Sequence, residues 1–132
     1  MRPITAPEPR CQNLQRHLQA PLQACHGGAG ALHVHRAFER GSGEVVDFID
    51  LVRLPPGSSI GRHRHGQNQE RYLILGGAGA MWFEDEWRAV QRGDLLTNPP
   101  GGAHELRNPG PEALELLVFQ CSDGQGPVEE QP

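Results

Sequence analysis

The sequence predicts an all-β domain, two stacked sheets closing into a barrel, preceded by a short helix. Three observations carry that expectation. From Ala31 onward the chain breaks into nine β-like runs, at about 31–38, 45–54, 59–65, 70–76, 79–84, 87–91, 95–98, 103–107 and 113–120, separated by turn residues at the spacing of a sandwich or barrel. Gly 17 and Pro 12 among 132 residues supply those turns, while 36% hydrophobic residues are enough for one core and the charge excess of a disordered chain is missing. The last run alternates, with Leu114, Leu116 and Val118 on one face and Glu115, Leu117 and Phe119 on the other. Its second face is therefore partly covered, as in two packed sheets.

Residues 1–30 read as an N-terminal arm. Leu14, Leu18 and Leu22 recur every four residues, Asn13 stands as an N-cap and Pro21 as a stop, so a short helix is expected near residues 13–20. HGGAG, residues 26–30, superficially resembles a phosphate cradle, but it follows no strand and opens no helix, so it reads as a flexible connector. Residues 31–120 form the barrel, without an internal repeat. Within it the hairpin FEDEWR, residues 83–88, has no glycine in its turn and predicts a longer or type I connection. Residues 121–132 are polar and rich in Gly and Pro, the composition of a frayed tail.

A formal charge of −4, from Lys+Arg 12 against Asp+Glu 16, offers no basic footprint for nucleic acid or anionic lipid. No apolar run approaches the ~20 residues that cross a bilayer. Cys11, Cys25 and Cys121 are odd in number, widely spaced and not followed by a diagnostic histidine or acid. With no secretory apolar segment after Met1, a reduced, cytoplasmic protein is expected, and cysteine nucleophile chemistry is not. The run VVDFIDLVRL, residues 45–54, is apolar on both faces; read as an exposed edge it calls for a cover, and a homodimer is expected.

The chemistry gathers in the middle of the chain. His63 and His65 are two apart in a β-like run and leave the same face, and Glu70 opens the next run after a four-residue loop. His104, in a later run after the turn-forming NPPGGA, can complete the set from a facing strand. Imidazole and carboxylate suit zinc, iron, nickel, manganese or copper, and the lack of a thiolate excludes a cysteine-based structural zinc. Four protein ligands leave one or two positions open on a first-row metal, in the manner of a catalytic site.

GSSIGRHRHGQNQERYLILGG, residues 57–77, resembles the first cupin motif: glycine, five residues, HxH, four residues, glutamate, six residues and glycine. GDLLTNPPGGAHELRN, residues 93–108, resembles the second, with Gly93, Pro99, Gly101, His104 and Asn108 at its marked positions. The resemblance implies a small single-domain cupin, a jelly-roll barrel or double-stranded β-helix. It implies one divalent metal held by His63, His65, Glu70 and His104. HGGAG, HRHGQNQERYLIL and NPPGGAHELRN are further similar to small zinc-binding cupins of natural-product biosynthesis, including those that form N–N bonds beside a partner ligase.

Other residues invite a role. Tyr72 lies two residues after Glu70 and shares its face, so it is the candidate proton donor or acceptor beside Glu70. Gln67, Asn68 and Gln69 sit where amides orient ligands or meet substrate, though turn solvation is the simpler account. Arg62 and Arg64 are out of phase with the histidines and face away unless the strand is bulged. His33 and His35 form a second HxH with no carboxylate at ligand spacing, and read as a solvent or interface face. The resemblance implies a metal-dependent enzyme acting on a small molecule, with a zinc-assisted non-redox rearrangement, cyclisation or lyase step placed first. A mononuclear Fe(II) dioxygenase and a metal-stabilised ligand-binding or regulatory module are the alternatives.

Overall fold

A computed structural model of the chain describes residues 11–18 and 21–132. Two short 3-10 turns, Leu14–His17 and Cys25–Gly27, are the only helical elements among them. Ten strands make up the rest: β1 (Leu22–Gln23), β2 (Ala31–Glu39), β3 (Val46–Leu54), β4 (Ser59–Arg64), β5 (Gln69–Gly76), β6 (Ala78–Phe83), β7 (Glu86–Gln91), β8 (Leu95–Asn98), β9 (Ala103–Arg107) and β10 (Leu114–Cys121). Every pairing is antiparallel, in a six-stranded sheet ordered β1-β2-β3-β10-β5-β8 and a four-stranded sheet ordered β4-β9-β6-β7.

The core lies between the sheets. Leu32, Phe48, Val52, Leu54, Tyr72, Ile74, Leu114, Leu116 and Val118 come from the larger sheet, and Ile60, Met81, Val90 and Leu106 from the smaller. Each such side chain contributes roughly 1.5–3 kcal/mol on full burial. Strand β10 alternates buried and half-buried residues along its whole length, as two packed layers require. Two motif residues serve the frame. Gly77 has φ +81, and a Cβ there would lie 2.3 Å from the carbonyl oxygen of Ala113, so only glycine fits. Buried Asn108 donates to the carbonyls of Leu54 and Glu112 and accepts from the amide of Gly110, tying the turn after β9 to the end of β3.

Four expectations are corrected. The N-terminal helix is one 3-10 turn, Leu14–His17, capped by Asn13 through the amide of Gln15. It buries no residue, and so short a segment lacks the packing that stabilises a helix; Leu22 instead pairs with Leu32 in the sheet, and residues 19–20 of the expected helix lie outside the described residues. The run at 45–54 is no edge: β3 pairs with β2 on one side and β10 on the other, which removes the argument for a homodimer built on it. Burial on both faces is the reason apolar residues stand on both sides of that strand, with Phe48, Val52 and Leu54 on one and Leu51 on the other.

The hairpin β6–β7 closes on Glu84 (φ 52) and Asp85 (φ 62) alone. This two-residue turn has both central residues left-handed, because that geometry matches the twist of the flanking strands. The fourth correction concerns the tail, which packs. Val128 is buried in the core cluster, Arg40 donates to the carbonyls of Gln125 and Gly126, and Arg36 donates to that of Glu129. No described helix is long and apolar enough to cross a membrane.

Candidate metal centre

His63 turns inward through a local irregularity in β4. Ile60 pairs with Leu106 and His63 with His104, so β4 carries one more residue than β9 between the two pairs. That bulge lets Ile60 and His63, three apart, both turn inward while Arg62 turns out. Arg62 lies over the Trp82 ring at 3.6 Å and donates to Glu105; Arg64 is exposed. Neither faces the site, as the alternation predicts. Glu70 enters from the opposite sheet, between Asn98 of β8 and Gln120 of β10.

The four ligand atoms of His63, His65, Glu70 and His104 lie within 4.8 Å of one another. Glu70 Oε1 is 3.0 Å from His104 Nε2, 3.1 Å from His65 Nε2 and 4.0 Å from His63 Nε2. His104 Nε2 is 3.1 Å from His63 Nε2 and 3.2 Å from His65 Nε2. An ion about 2.0–2.2 Å from each of four such atoms sets them roughly 3–3.5 Å apart, so the spacing fits a first-row cation.

The protonation pattern fits it too. His63 Nδ1 donates to the Gly61 carbonyl at 2.7 Å, and His65 Nδ1 donates to Asn68 Oδ1 at 2.7 Å. Both rings therefore present unprotonated Nε2 lone pairs to the centre. Lone pairs and a carboxylate facing one another inside a barrel repel unless a cation lies among them. Neither oxygen of Glu70 completes a well-formed hydrogen bond, which suits a carboxylate whose partner is a metal. We find zinc, iron, nickel and manganese all compatible with three imidazoles and one carboxylate.

Burial and charge tune the groups in opposite directions. Burial drives His63 down to about 3, with the rings of His104 and His26 adding to the effect and the Gly61 bond opposing it. For His65 burial is outweighed by Glu70 and Asn68, and its pKa rises. Burial would raise Glu70, but His104 and His65 hold it below its ordinary value. Tyr72 is fully buried, its hydroxyl finds no hydrogen-bond partner, and its ring lies 4.8 Å from that of His104. Burial and the neighbouring Glu70 carboxylate push its pKa well above 10, so it is a protonated phenol. Burial pushes the Cys25 thiol up to about 12, which leaves no thiolate for nucleophilic attack.

The remaining histidines divide. His33 and His35 lie on β2 away from the centre; His35 neighbours His17, with ring centroids 5.3 Å apart. The described residues hold no second cluster of metal-ligating groups. His26 is a neighbour that sequence reasoning missed: its ring stacks on His63 at 3.7 Å and 9°. A histidine 37 positions away in a glycine-rich loop carries no periodic signal. Arg36 and Asp50 were missed as well, although each falls at an inward position of its strand. They form a two-point ion pair at 2.8 and 3.1 Å, with Asp50 buried and Arg36 half-buried. Burial raises Asp50 to about 6 against the pull of Arg36.

Comparison with known proteins agrees with this fold. The cupin domain model matches residues 50–120. An oxalate-binding protein of Thermotoga maritima is 36% identical over 93 residues, 70% of this chain and 77% of that protein. The crystal structure of a predicted oxalate decarboxylase from Thermotoga maritima superposes with TM-score 0.77 and 25% identity, over 83% of this chain and 96% of that one. A mannose-1-phosphate guanylyltransferase of Salmonella montevideo is 28% identical over 90 residues, which are 63% of this chain but only 19% of that much longer protein. With more than half of the chain inside the family model, and the two motifs folded around one ligand cluster, the chain belongs to the cupin family.

Proposed function

We propose that the protein is a metal-dependent enzyme whose cation, held by His63, His65, Glu70 and His104, binds a small chelating carboxylate of the oxalate class for a non-redox lyase or rearrangement step. The convergence of three neutral imidazole nitrogens and one carboxylate oxygen within 4.8 Å carries this reading. A divalent ion in that set keeps one net positive charge, so it favours an anionic partner at its open positions. Bound there, it acts as a Lewis acid on the oxygens of its ligand. The centre is shielded from solvent: Glu70, His104 and Tyr72 are buried and His63 keeps 11% side-chain exposure. That favours a ligand of few atoms. The names of the Thermotoga maritima sequence match and structure match point to the same class.

Within this reading the chain's own groups divide the work. Glu70 supplies the one negative charge and sets the net charge of the centre. Tyr72, a buried protonated phenol beside Glu70, is the proton donor to a ligand oxygen. Asn68 and the Gly61 carbonyl keep His65 and His63 in the tautomer that binds metal. The zinc-assisted cyclisation or N–N bond formation implied by the motif resemblance rests on three short segments alone, and the oxalate-named relatives favour the carboxylate.

Calorimetric titration of the metal-loaded chain tests this. Oxalate should bind one per chain and acetate at least ~10-fold more weakly, since only the first closes a five-membered chelate ring through two carboxylates. Equal affinity for both, or none for either, contradicts the substrate class. Tyr72→Phe should keep the metal and lower turnover by ~10²-fold, the scale for losing a positioned acid. Oxygen uptake in step with product would instead favour an Fe(II) dioxygenase, and recovery of the ligand unchanged a binding module.

A further inference from the structure

We propose that His26 is a positioning residue of the metal centre: its ring, stacked on His63, fixes the plane in which His63 presents Nε2. This rests on the metal reading above. His63 is the most exposed of the four ligands, with 11% of its side chain accessible against 5% or less for the others. Its Nδ1 bond to Gly61 restrains one edge of the imidazole. The near-parallel His26 ring, 3.7 Å away, restrains the face. The other histidines have their own neighbours, Asn68 at His65 Nδ1 and the Tyr72 ring beside His104.

The stacking geometry separates this role from ligation. Lone pairs of an imidazole lie in the plane of its ring. A cation in the plane of His63, about 2 Å beyond Nε2, stands off the His26 plane by nearly the whole 3.7 Å stacking distance. No nitrogen of His26 can aim at it. His26 therefore acts through His63.

The loop that carries His26 is built to hold it still, contrary to the flexible connector expected of HGGAG. His26 has φ 50, a left-handed conformation that swings its ring onto β4; histidine tolerates that region better than most residues. Ala29 and Ser59 exchange two hydrogen bonds, Ala29 N to Ser59 Oγ at 2.8 Å and Ser59 N to Ala29 O at 2.9 Å. A Cβ on Gly28 would lie 2.1 Å from the Ser59 carbonyl oxygen, and one on Gly61 would lie 2.2 Å from that of His26. Two glycines thus let loop and strand meet backbone to backbone. From the other side, the His26 amide donates to Gln131 Oε1 at 2.9 Å. The packed C-terminal tail secures the loop that orients the ligand.

Titration of the metal-free full-length chain with Co(II), followed by visible d–d absorption, tests the proposal with a readout of ligand geometry. His26→Asn keeps a residue that accepts the left-handed backbone and removes the ring. Its Co(II) Kd should rise ~10-fold or more, in the range seen when a group supporting a ligand is lost, with an altered d–d spectrum. His26→Phe restores a stacking ring and should return Kd to within ~3-fold of wild type, with the wild-type spectrum. Wild-type Kd and spectrum in His26→Asn overturn the proposal, and so does a loss that His26→Phe fails to rescue. Far-ultraviolet circular dichroism of the metal-free variants excludes unfolding as the cause. If neither His26 variant folds, Gln131→Ala frees the loop without touching the ring, and an unchanged spectrum there overturns the proposal. A wild-type chain that binds no Co(II) at all refutes the metal reading itself, a result distinct from failure of the His26 variants alone.

Discussion

Replacing Asn68 by alanine removes the oxygen that accepts the Nδ1 proton of His65. The bond is 2.7 Å long and His65 is only 6% exposed, so water does not readily take the place of the amide. An unpaired buried donor costs about 1–3 kcal/mol, and His65 also gains freedom to turn its Nε2 off the centre. Loss of such a supporting bond lowers metal affinity by ~10–100-fold, which is about 1.4–2.7 kcal/mol. Competition with a chromophoric chelator at neutral pH reads this directly. Asn68→Asp restores an acceptor at the same place and should recover the affinity, while Asn68→Ala should not. An alanine variant within twofold of wild type would refute the claim that Asn68 sets the tautomer and orientation of His65.

Two further outcomes follow from the structure. Burial holds folded His63 near 3 against an ordinary 6.5, so its contribution is complete above pH 6.5 and is lost as pH falls toward 3. Between pH 6.5 and 4 this amounts to roughly 3 kcal/mol. Asp50, raised to about 6, has the opposite sign: its contribution is complete below its unfolded value and is lost as pH rises through 6. In urea denaturation of the metal-free protein, wild type should therefore lose stability relative to His63→Gln on acidification, and parallel pH profiles would contradict the assignment. At the β6–β7 turn, Glu84→Asn with Asp85→Gly installs residues that accept left-handed backbone. It should add about 1 kcal/mol and raise Tm by ~3–5 °C in a thermal melt; no gain would mean that the turn is not strained.

The nine runs read between residues 31 and 120 correspond to β2 through β10, shifted by two residues or fewer at their ends. They were legible because period-two burial and glycine or proline breaks are local signals. The ligand set was legible for a related reason: spacing within one strand and one loop puts His63, His65 and Glu70 together without knowledge of the rest. Which strands become neighbours is a long-range property. The run at 45–54 shows apolar residues on both faces and reads as an exposed edge, because nothing local reveals that β2 and β10 flank it. The turn at Glu84 and Asp85 obeys the twist of its strands, not its own composition. The tail looks disordered because its anchors lie far off in sequence, at Arg36 and Arg40. His26 stayed hidden for the same reason: its partner His63 lies across two tightly apposed backbones, and nothing in HGGAG announces a stack.

Equilibrium dialysis of the metal-free chain against micromolar Zn(II) or Mn(II), with metal counted by elemental analysis, tests the central claim most directly. One ion per wild-type chain is the predicted result, falling below about a tenth in His65→Ala at the same free metal concentration, as loss of a direct ligand requires. Full occupancy with unchanged coordination in His65→Ala would contradict the centre at His63, His65, Glu70 and His104.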